Sequence, residues 1–170
     1  IKAMHPDAVC VFIGPCIAKK SEVIDSITFG GADYAMTYEE LASMFEAKNI
    51  DPEECTETLQ QGSKFGKQYS VSGGVTAAVL ETFKEANKEV DLKVKTCSGA
   101  LECKKALMLL KVGKLPEDFI EGMACTGGCI GGAGCLTHGE KNKDEVDKYG
   151  MEAYEKTISS AISMIKNIQE

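Results

Sequence analysis

The stretch Glu121-Gly-Met-Ala-Cys-Thr-Gly-Gly-Cys-Ile-Gly-Gly-Ala-Gly-Cys135 places three cysteines and six glycines within fifteen residues. Cys125 and Cys129 are four residues apart, so one turn of chain can direct both sulfurs at one centre. Gly127 and Gly128 are expected to leave backbone N–H groups free to approach anionic sulfide. Thiolates in such a loop are the ligands that an iron–sulfur cluster needs. The alternative is a tight glycine-rich turn with incidental buried cysteines.

A further cysteine follows an apolar run near the start of the chain. The run from Ala8 to Ile13 predicts a buried strand, which Pro15 ends. Cys16 is then at a strand-to-helix corner, where ligands gather in an open α/β sheet. Lys19 and Glu22 follow at intervals of three, which places them on the helical face that carries Cys16. A solvated Lys–Glu pair at a strand end is the alternative.

Together the two segments resemble motifs of the iron-only (FeFe) hydrogenase catalytic domain. Its second motif, M-P-C-x-x-K-x-x-E, is similar to Gly14-Pro15-Cys16-Ile-Ala-Lys19-Lys-Ser-Glu22. Its third, E-x-M-A-C-x-G-G-C-x-x-G-G-G-Q-P, is similar to the segment from Glu121 to Leu136. Between them, Tyr69-Ser-Val-Ser-Gly73-Gly74-Val75 resembles the aromatic-x-x-[TS]-G-G-V segment that opens a helix beside the active-site iron pair. The resemblance covers nearly the whole chain.

The resemblance implies an H-cluster, in which a four-iron (4Fe-4S) cubane is joined through one cysteine to a two-iron unit that bears CO and cyanide. It makes Cys16 and Cys125 ligands of the cubane, and Cys129 the bridge between cubane and iron pair. The three sulfurs are then expected to lie within roughly 10 Å of one another. The residues that the resemblance places against the cofactor are Tyr69, Ser72, Gly73, Gly74, Gly127 and Gly128.

Three further side chains are implied at the catalytic centre. Lys19 would pair with a cyanide ligand, because its ammonium is a compact cation with three donors. Glu22 would orient this lysine and offset the cost of burying its charge. Met123 would pack near the iron pair through its polarizable sulfur. The alternatives are a surface acid for Glu22 and an ordinary core methionine.

The departures from the family pattern matter as much as the matches. The first motif, T-S-C-C-P, supplies the fourth cubane thiolate and a proton-passing cysteine, and it does not occur in these 170 residues. The chain begins without an initiator Met, so we expect a piece of a longer protein that is inactive and without its cluster in isolation. Gly14 replaces the motif's Met and Cys135-Leu136 replaces Gln-Pro, which favours a divergent, sensory-type member. A ligand or redox role for Cys135 is left open.

Composition excludes several other classes of protein. The net charge of −7 disfavours binding to nucleic acid or to an anionic membrane. Apolar runs are too short to span a bilayer and no secretory leader is present, so we expect a cytoplasmic location. Eight cysteines could form a disulfide scaffold, but a chain of this size does not need one. His5 and His138 have no zinc-ligand spacing with the cysteines.

The pattern of apolar residues predicts alternating strands and helices in a single domain over residues 1–170. The expected fold is a three-layer α/β lobe with a largely parallel sheet, one half of the two-lobed catalytic domain. The predicted elements after the first strand are a helix from the Thr37–Glu40 capping box to about Lys48, a loop or short helix between Asp51 and Gly66, a helix from Gly73 to Lys88, a strand from Leu92 to Thr96, a helix from Ala100 to Val112, a charged linker from Gly139 to Lys148 and a last helix with an apolar stripe of Ile158, Ala161, Ile162 and Ile165.

Three function classes follow from the resemblance. The leading one is an oxidoreductase that interconverts molecular hydrogen with protons and electrons, with ferredoxin or N-terminal iron–sulfur domains as electron partner and the upstream remainder of the catalytic domain as structural partner. The second is a hydrogen-sensing signalling module with slow or no turnover. The third is a hydrogenase-like iron–sulfur assembly factor, which Lys19 argues against because plain cubanes carry no cyanide. The remaining cysteines, Cys10, Cys55, Cys97 and Cys103, are interpreted as structural.

Overall fold

The computed structural model describes residues 2–25, 31–54, 62–139 and 141–167, without the side chains of 165–167. The chain folds into two compact units. The first comprises residues 1–58 and 131–138, and the second comprises residues 59–130 and 139–170. Each unit is built on one pair of parallel strands. The predicted mixed α/β fold with parallel strands is therefore confirmed, as two short sheets.

The described helices and strands alternate only in part, because some helices follow one another without a strand between them. In chain order they are β1 (Val11–Ile13), α1 (Ala18–Ile24), β2 (Tyr34–Met36), α2 (Tyr38–Ala47), a 3₁₀ turn (Pro52–Glu54), α3 (Lys64–Lys67), α4 (Gly74–Glu85), β3 (Val94–Ser98), α5 (Ala100–Lys111), β4 (Phe119–Met123), a second 3₁₀ turn (Cys129–Gly131), α6 (Lys141–Met151) and α7 (Ile158–Asn167). In the described part of the chain, no helix has the length and apolar character needed to cross a bilayer.

The first unit pairs β1 with β2, and Phe12 lies opposite Ala35. Parallel strands cannot be joined by a tight turn, so the intervening chain crosses over through α1. The prediction of a buried strand from Ala8 is wrong in extent and in burial, because β1 has three residues and Val11 and Ile13 are 43% and 44% exposed. Among the described residues β1 has one partner strand, and a sheet of two strands leaves much of its surface open.

Helix α2 begins as its sequence predicts. The Thr37 hydroxyl accepts a hydrogen bond from the N–H of Glu40 at 3.3 Å, and the Glu40 carboxylate accepts one from the N–H of Thr37 at 2.8 Å. This reciprocal capping box satisfies two N–H groups that a helix start would otherwise leave without partners. The helix ends at Ala47, close to the predicted Lys48.

The second unit pairs β3 with β4 in register from Val94 opposite Phe119 to Ser98 opposite Met123. Helix α5 connects the two strands and packs against both. It begins at Ala100, as predicted, and ends at Lys111, one residue before the predicted Val112. Cys97 and Ala106 are almost fully buried at 0% and 1% exposure. Helix α4 buries Ala78 and packs against α3 and α7.

The charged segment after Gly139 is a helix, so its prediction as a linker is wrong. Helix α6 is stabilised along its surface by ion pairs Lys143–Asp147 and Glu145–Lys148, each at 2.8 Å. Asp147 also accepts a hydrogen bond from the Gln68 side chain at 2.8 Å, which ties the helix to the end of α3. This helix has almost no apolar face and is stabilised by charge pairs and by a tertiary contact. A search for hydrophobic periodicity does not detect such a helix.

Strands β2 and β4 are short and were not predicted, and β3 begins two residues after the predicted Leu92. Helix α4 ends at Glu85, three residues before the predicted Lys88, because Asn87 adopts a left-handed φ of 51°. In α7 the predicted apolar stripe is only partly covered, since Ile162 is 48% exposed.

Some residues named in the sequence predictions lie outside the described residues. They are residues 55–61 of the predicted connection, which include Cys55, and the side chain of Ile165.

Candidate cluster-binding site

The seven described cysteines all keep their thiols out of disulfides. Cys97 and Cys135 are buried, and the other five are half-buried. Burial raises the pKa of the Cys97 thiol, and the neighbouring Cys103 raises it further. Cys97 therefore stays protonated in the sheet of the second unit, as expected of a structural cysteine.

Cys16 lies at the corner between β1 and α1, as predicted. Gly14 and Pro15 are buried at this corner, and Cys16 is half-buried. The N–H of Lys19 donates to the Cys16 carbonyl at 3.3 Å, which starts the first turn of the helix. Cys16 is thus at the carboxyl end of a parallel strand, the usual position for ligand-binding residues in α/β sheets.

Lys19 and Glu22 form the predicted ion pair on α1. Both side chains line a cavity of about 360 Å³ in the first unit, together with Phe12, Val23 and Ala32. They are 38% and 48% exposed, so water still reaches the pair and its intrinsic contribution to stability is small.

The adjacent Lys20 has a different partner. It pairs with Glu40 of α2, and this ammonium, with the N–H of Thr37, holds the pKa of Glu40 below its usual value. Lys20 does not line the cavity of Lys19. Two neighbouring lysines on one short helix therefore provide a natural comparison between a candidate functional cation and a structural one.

The loop between Cys125 and Cys129 is a tight turn in the second unit. The N–H of Gly128 donates to the Cys125 carbonyl at 3.1 Å, and the N–H of Gly127 donates to the Ser98 hydroxyl at 2.8 Å. The expectation that both N–H groups are available to sulfide is therefore wrong for this conformation. Both glycines have positive φ, 85° and 96°, because the turn reverses the chain more sharply than an L-residue readily allows.

Gly128 also lets the cysteine loop pack against the Tyr69–Val75 turn. A Cβ atom at Gly128 would lie 2.5 Å from the Ser70 carbonyl oxygen, and Val71 and Gly128 form an antiparallel bridge. Gly127 accepts a hydrogen bond from the N–H of Ser72 at 3.0 Å. The structure thus brings together the two segments that the sequence assigned to one site.

Gly73 and Gly74 serve the start of α4. Gly73 caps the helix with φ of 92°, and a Cβ at Gly74 would lie 2.0 Å from the Gln68 carbonyl oxygen. These are packing roles, and contact between either glycine and a cofactor stays a prediction. Tyr69 is 51% exposed at the outer end of the same turn.

The structure also reveals an important residue that had no role assigned from sequence patterns. Glu121 is 3% exposed, and its carboxylate accepts hydrogen bonds from the N–H of Gly73 at 2.7 Å and the N–H of Thr76 at 2.9 Å. The Thr76 hydroxyl donates to the same carboxylate at 2.5 Å. Glu121 therefore caps α4 from β4 and fixes the Tyr69–Val75 turn. One sequence feature could have pointed to this role. Gly73 precedes the predicted helix and has no side chain to cap it, so another residue must accept hydrogen bonds from the first N–H groups of the helix.

Two polar features mark the surroundings of the loop. The Ser72 hydroxyl is buried and has no hydrogen-bond partner among the described residues, although buried hydroxyls usually have one. The Met123 carbonyl accepts from the N–H of Gly99 at 2.8 Å and from the Cys103 thiol at 3.5 Å. The backbone before Cys125 is thereby held against α5.

The predicted ligands are divided between the units, with Cys16 in the first and Cys125 and Cys129 in the second. Taking each unit by itself, the described His, Cys, Asp and Glu side chains form no group of three or more that could hold a metal ion. The predicted convergence of the three sulfurs stays a prediction.

Comparison with known proteins identifies the family. Residues 1–133 match the family model of the iron only hydrogenase large subunit, C-terminal domain. The chain belongs to this family. The periplasmic [Fe] hydrogenase large subunit of Nitratidesulfovibrio vulgaris (strain Hildenborough) is 33% identical over 159 residues, which cover 73% of this chain and 38% of that protein.

Solved [FeFe]-hydrogenase structures share the fold. One that describes stepwise assembly of the H-cluster has a TM-score of 0.62 and 19% identity, covering 95% of this chain and 58% of that one. The enzyme of Chlamydomonas reinhardtii has a TM-score of 0.61 and 17% identity, covering 97% and 60%. This chain therefore spans less than two thirds of each of these relatives.

The donor set fits an iron–sulfur cluster. The candidate ligands are all cysteines, the residue that holds four-iron cubanes, and they lie on turns instead of inside strands or helices. The buried Ser72 hydroxyl beside the loop offers a polar group whose partner is not among the described side chains. A zinc-like site is not supported in either unit by the described residues.

Proposed function

We propose that this chain forms part of an FeFe hydrogenase that interconverts molecular hydrogen with protons and electrons. The observation that carries the proposal is the Cys125–Cys129 turn. It is fixed by Ser98, by the Ser72 backbone and by close packing of Gly128, while its cysteines remain outside disulfides. Preorganised thiols of this kind suit a cluster better than they suit a fold that needs no ligand.

In this proposal Cys16 and Cys125 would hold the cubane, and Cys129 would hold it together with a two-iron unit that carries CO and cyanide. When bound, the group supplies the electron storage and the hydrogen chemistry. Lys19 would donate hydrogen bonds to a cyanide, and Glu22, its ion-pair partner, would keep the ammonium in place. Met123 lies at the end of β4, two residues before Cys125. In this proposal its side chain would pack near the iron pair.

The same proposal includes the wall of the site and the partners of the protein. Tyr69, Ser72, Gly73 and Gly74 form one side of the pocket with Gly127 and Gly128. The substrates are hydrogen and protons, and the electron partner is a ferredoxin or a set of N-terminal iron–sulfur domains. The chain acts with the upstream remainder of its catalytic domain in the cytoplasm, and we expect these 170 residues alone to be inactive.

A hydrogen-sensing module is a second candidate, favoured by one feature of the Cys16 corner. Gly14 stands where the family motif has Met, and a Cβ at this position would lie 2.9 Å from Cζ of Phe12. The Phe12 ring therefore occupies space that a methionine side chain would need. This altered pocket wall is consistent with a site tuned to bind hydrogen more than to turn it over.

The test compares Lys19→Ala with Lys20→Ala in the full-length, matured protein. We expect Lys19→Ala to remove the infrared bands of CO and cyanide, to spare the cubane in an iron count, and to lower hydrogen evolution from reduced viologen by about 100-fold or more. Lys20→Ala should keep the bands and the activity within about twofold, because Lys20 pairs with Glu40 outside the cavity.

The outcomes separate the candidate functions. In the native full-length protein, infrared bands with little turnover would favour the sensor. A native protein with a cubane but without any CO or cyanide bands would favour an assembly factor. Equal effects of the two lysine changes would contradict the assignment of Lys19. A full-length protein that binds no iron under anaerobic reconstitution would refute the proposed function.

A further inference from the structure

The Ser98 side chain contacts the Cys125–Cys129 turn from the end of β3. Its hydroxyl accepts a hydrogen bond from the N–H of Gly127 at 2.8 Å, although the two residues are 29 positions apart. Both residues belong to the second unit, so the contact lies within one compact body. The bond occupies one of the two glycine N–H groups that were expected to approach sulfide.

Neighbouring contacts hold this hydroxyl against the turn. Ser98 lies opposite Met123 in the parallel register, and the N–H of Gly99 donates to the Met123 carbonyl at 2.8 Å. A Cβ at Gly99 would lie 3.1 Å from Oγ1 of Thr126, so the turn packs closely on the residue after Ser98. The end of β3 and the start of the turn are therefore held together on both sides of the Ser98 hydroxyl.

The Ser98 hydroxyl competes with a cysteine sulfur for the Gly127 N–H. Gly127 is two residues after Cys125, and a side-chain acceptor commonly binds the N–H two residues further along the chain. The Cys125 carbonyl already accepts the N–H of Gly128 at 3.1 Å. The Cys125 sulfur is the acceptor that cluster binding would make anionic, and an anionic acceptor attracts a nearby N–H most strongly.

We propose that Ser98 is a positioning residue that keeps the Gly127 N–H away from the Cys125 sulfur and thereby lowers the reduction potential of the cubane. The inference rests on the proposed function and extends it to the tuning of the same site. A hydrogen bond to a ligand sulfur stabilises the reduced cluster, which carries one more negative charge, so it raises the potential. By withholding this donor, Ser98 makes the cubane a stronger electron donor toward protons.

The first experiment measures the midpoint potential of the cubane in the full-length protein, by anaerobic titration with dithionite followed by electron paramagnetic resonance. At the native midpoint potential, Ser98→Ala should raise the ratio of reduced to oxidised cubane about threefold, which is a shift of about +28 mV for a one-electron couple. Ser98→Thr keeps the hydroxyl and should retain the native potential. Thr96→Ala is the matched control, because Thr96 is exposed two residues earlier on β3.

A second measurement does not depend on the cluster. In the iron-free protein, hydrogen exchange at the Gly127 amide should be about fivefold faster in Ser98→Ala than in the native protein or in Ser98→Thr, because a hydrogen bond worth about 1 kcal/mol is lost. Unchanged exchange would show that the hydroxyl does not hold this N–H, and would overturn the proposal.

The outcomes keep the two proposals apart. If Ser98→Ala exchanges faster at Gly127 but its cubane keeps the native potential, the role of Ser98 is refuted and the proposed function stands. An equal shift in Thr96→Ala, or the same shift in Ser98→Thr, also refutes it, because the strand and not the hydroxyl then determines the potential.

Far-ultraviolet dichroism shows for each variant whether the thermal transition is retained. Ser98→Gly replaces Ser98→Ala if that variant loses its transition, and a loss in both would make Ser98 a purely structural residue. A native full-length protein that binds no cubane would refute the proposed function together with the role of Ser98.

Discussion

The two cysteine-bearing corners of the molecule have the same topological origin and are fixed in different ways. Cys16 follows β1 in the first unit, and Cys125 follows β4 in the second, each at the carboxyl end of a parallel strand. Around Cys16 the contacts include partly exposed ion pairs made by Lys19 and Lys20. Around Cys125 the contacts are backbone hydrogen bonds, close packing of glycines and the buried carboxylate of Glu121.

This difference separates chemistry from stability. Partly exposed ion pairs contribute little to folding, so the charged residues at the Cys16 corner can be exchanged with little loss of stability. Glycine at positive φ and in close backbone contact cannot be exchanged without strain, so the Cys125 corner carries the larger structural cost of substitution. We therefore expect the largest losses of stability in the second unit.

The largest expected effect is at Gly128. In Gly128→Ala the added Cβ would lie 2.5 Å from the Ser70 carbonyl oxygen at a φ of 96°, so strain and overpacking should cost about 3–5 kcal/mol in the free energy of unfolding. Gly127→Ala is the matched control, because φ is also positive there, at 85°, but no atom lies within 4 Å of the new Cβ. Its cost should be about 1–2 kcal/mol, from backbone conformation alone.

Urea denaturation of both variants measures the difference. Equal losses would show that the Tyr69–Val75 turn does not press on Gly128. In that case the comparison between the two corners would lose its main support.

The next effect concerns the buried carboxylate. Glu121→Gln leaves the N–H groups of Gly73 and Thr76 without a charged acceptor, and should cost about 2 kcal/mol. Glu85 caps α7 with similar donors, the N–H groups of Ile158 and Ser159 and the Ser159 hydroxyl, but it is partly exposed. Glu85→Gln should therefore cost less, because water can replace the lost hydrogen bonds. Thermal denaturation at neutral pH compares the two, and a smaller loss for Glu121→Gln would contradict the role of burial.

The contrast between Thr37 and Glu121 also explains what the sequence can predict. Thr37 and Glu40 cap α2 from three residues apart, and this local pattern is readable directly. Glu121 caps α4 from 45 to 48 residues away, so only the assembled fold shows it. The parallel α/β class and the cysteine corners follow from local apolar and glycine patterns.

Helix α6 and strand β4 were missed because they lack a regular apolar pattern. Helix α6 depends on charge pairs and on the bond from Gln68 to Asp147, so its sequence resembles a linker. Strand β4 has an exposed glycine and a buried glutamate at its centre, Gly122 and Glu121, which break the expected alternation. The glycine N–H groups were assigned to sulfide because residue type shows conformational freedom but does not reveal a partner such as Ser98.

A smaller effect is expected at the start of α2. Thr37→Ala removes the acceptor for the N–H of Glu40 and should destabilise the chain by about 1 kcal/mol. Ser43→Ala on the same helix removes only a bond to the Glu39 carbonyl within the helix and should be neutral or slightly stabilising. Urea denaturation distinguishes them, and an equal loss of stability in Ser43→Ala would contradict a specific role of the Thr37 cap.

The smallest expected effect is a dependence on pH that Glu85 contributes. Hydrogen bonds from the Ser159 hydroxyl, and then from the N–H groups of Ile158 and Ser159, hold the pKa of Glu85 below its usual 4.5. In the unfolded chain the carboxyl takes up its proton first as pH falls, so its contribution to stability is full above about pH 4.5 and is lost below that as the folded pKa is passed. The melting temperature should therefore fall less between pH 6 and pH 3 in Glu85→Gln than in the native chain.

Lys84→Met is the control. It removes the charge that makes the smallest contribution to lowering the pKa of Glu85, so the melting temperature should depend on pH nearly as it does in the native chain. An unchanged slope in Glu85→Gln would mean that α7 is not held by this carboxylate, and that capping across sequence distance is confined to the buried Glu121.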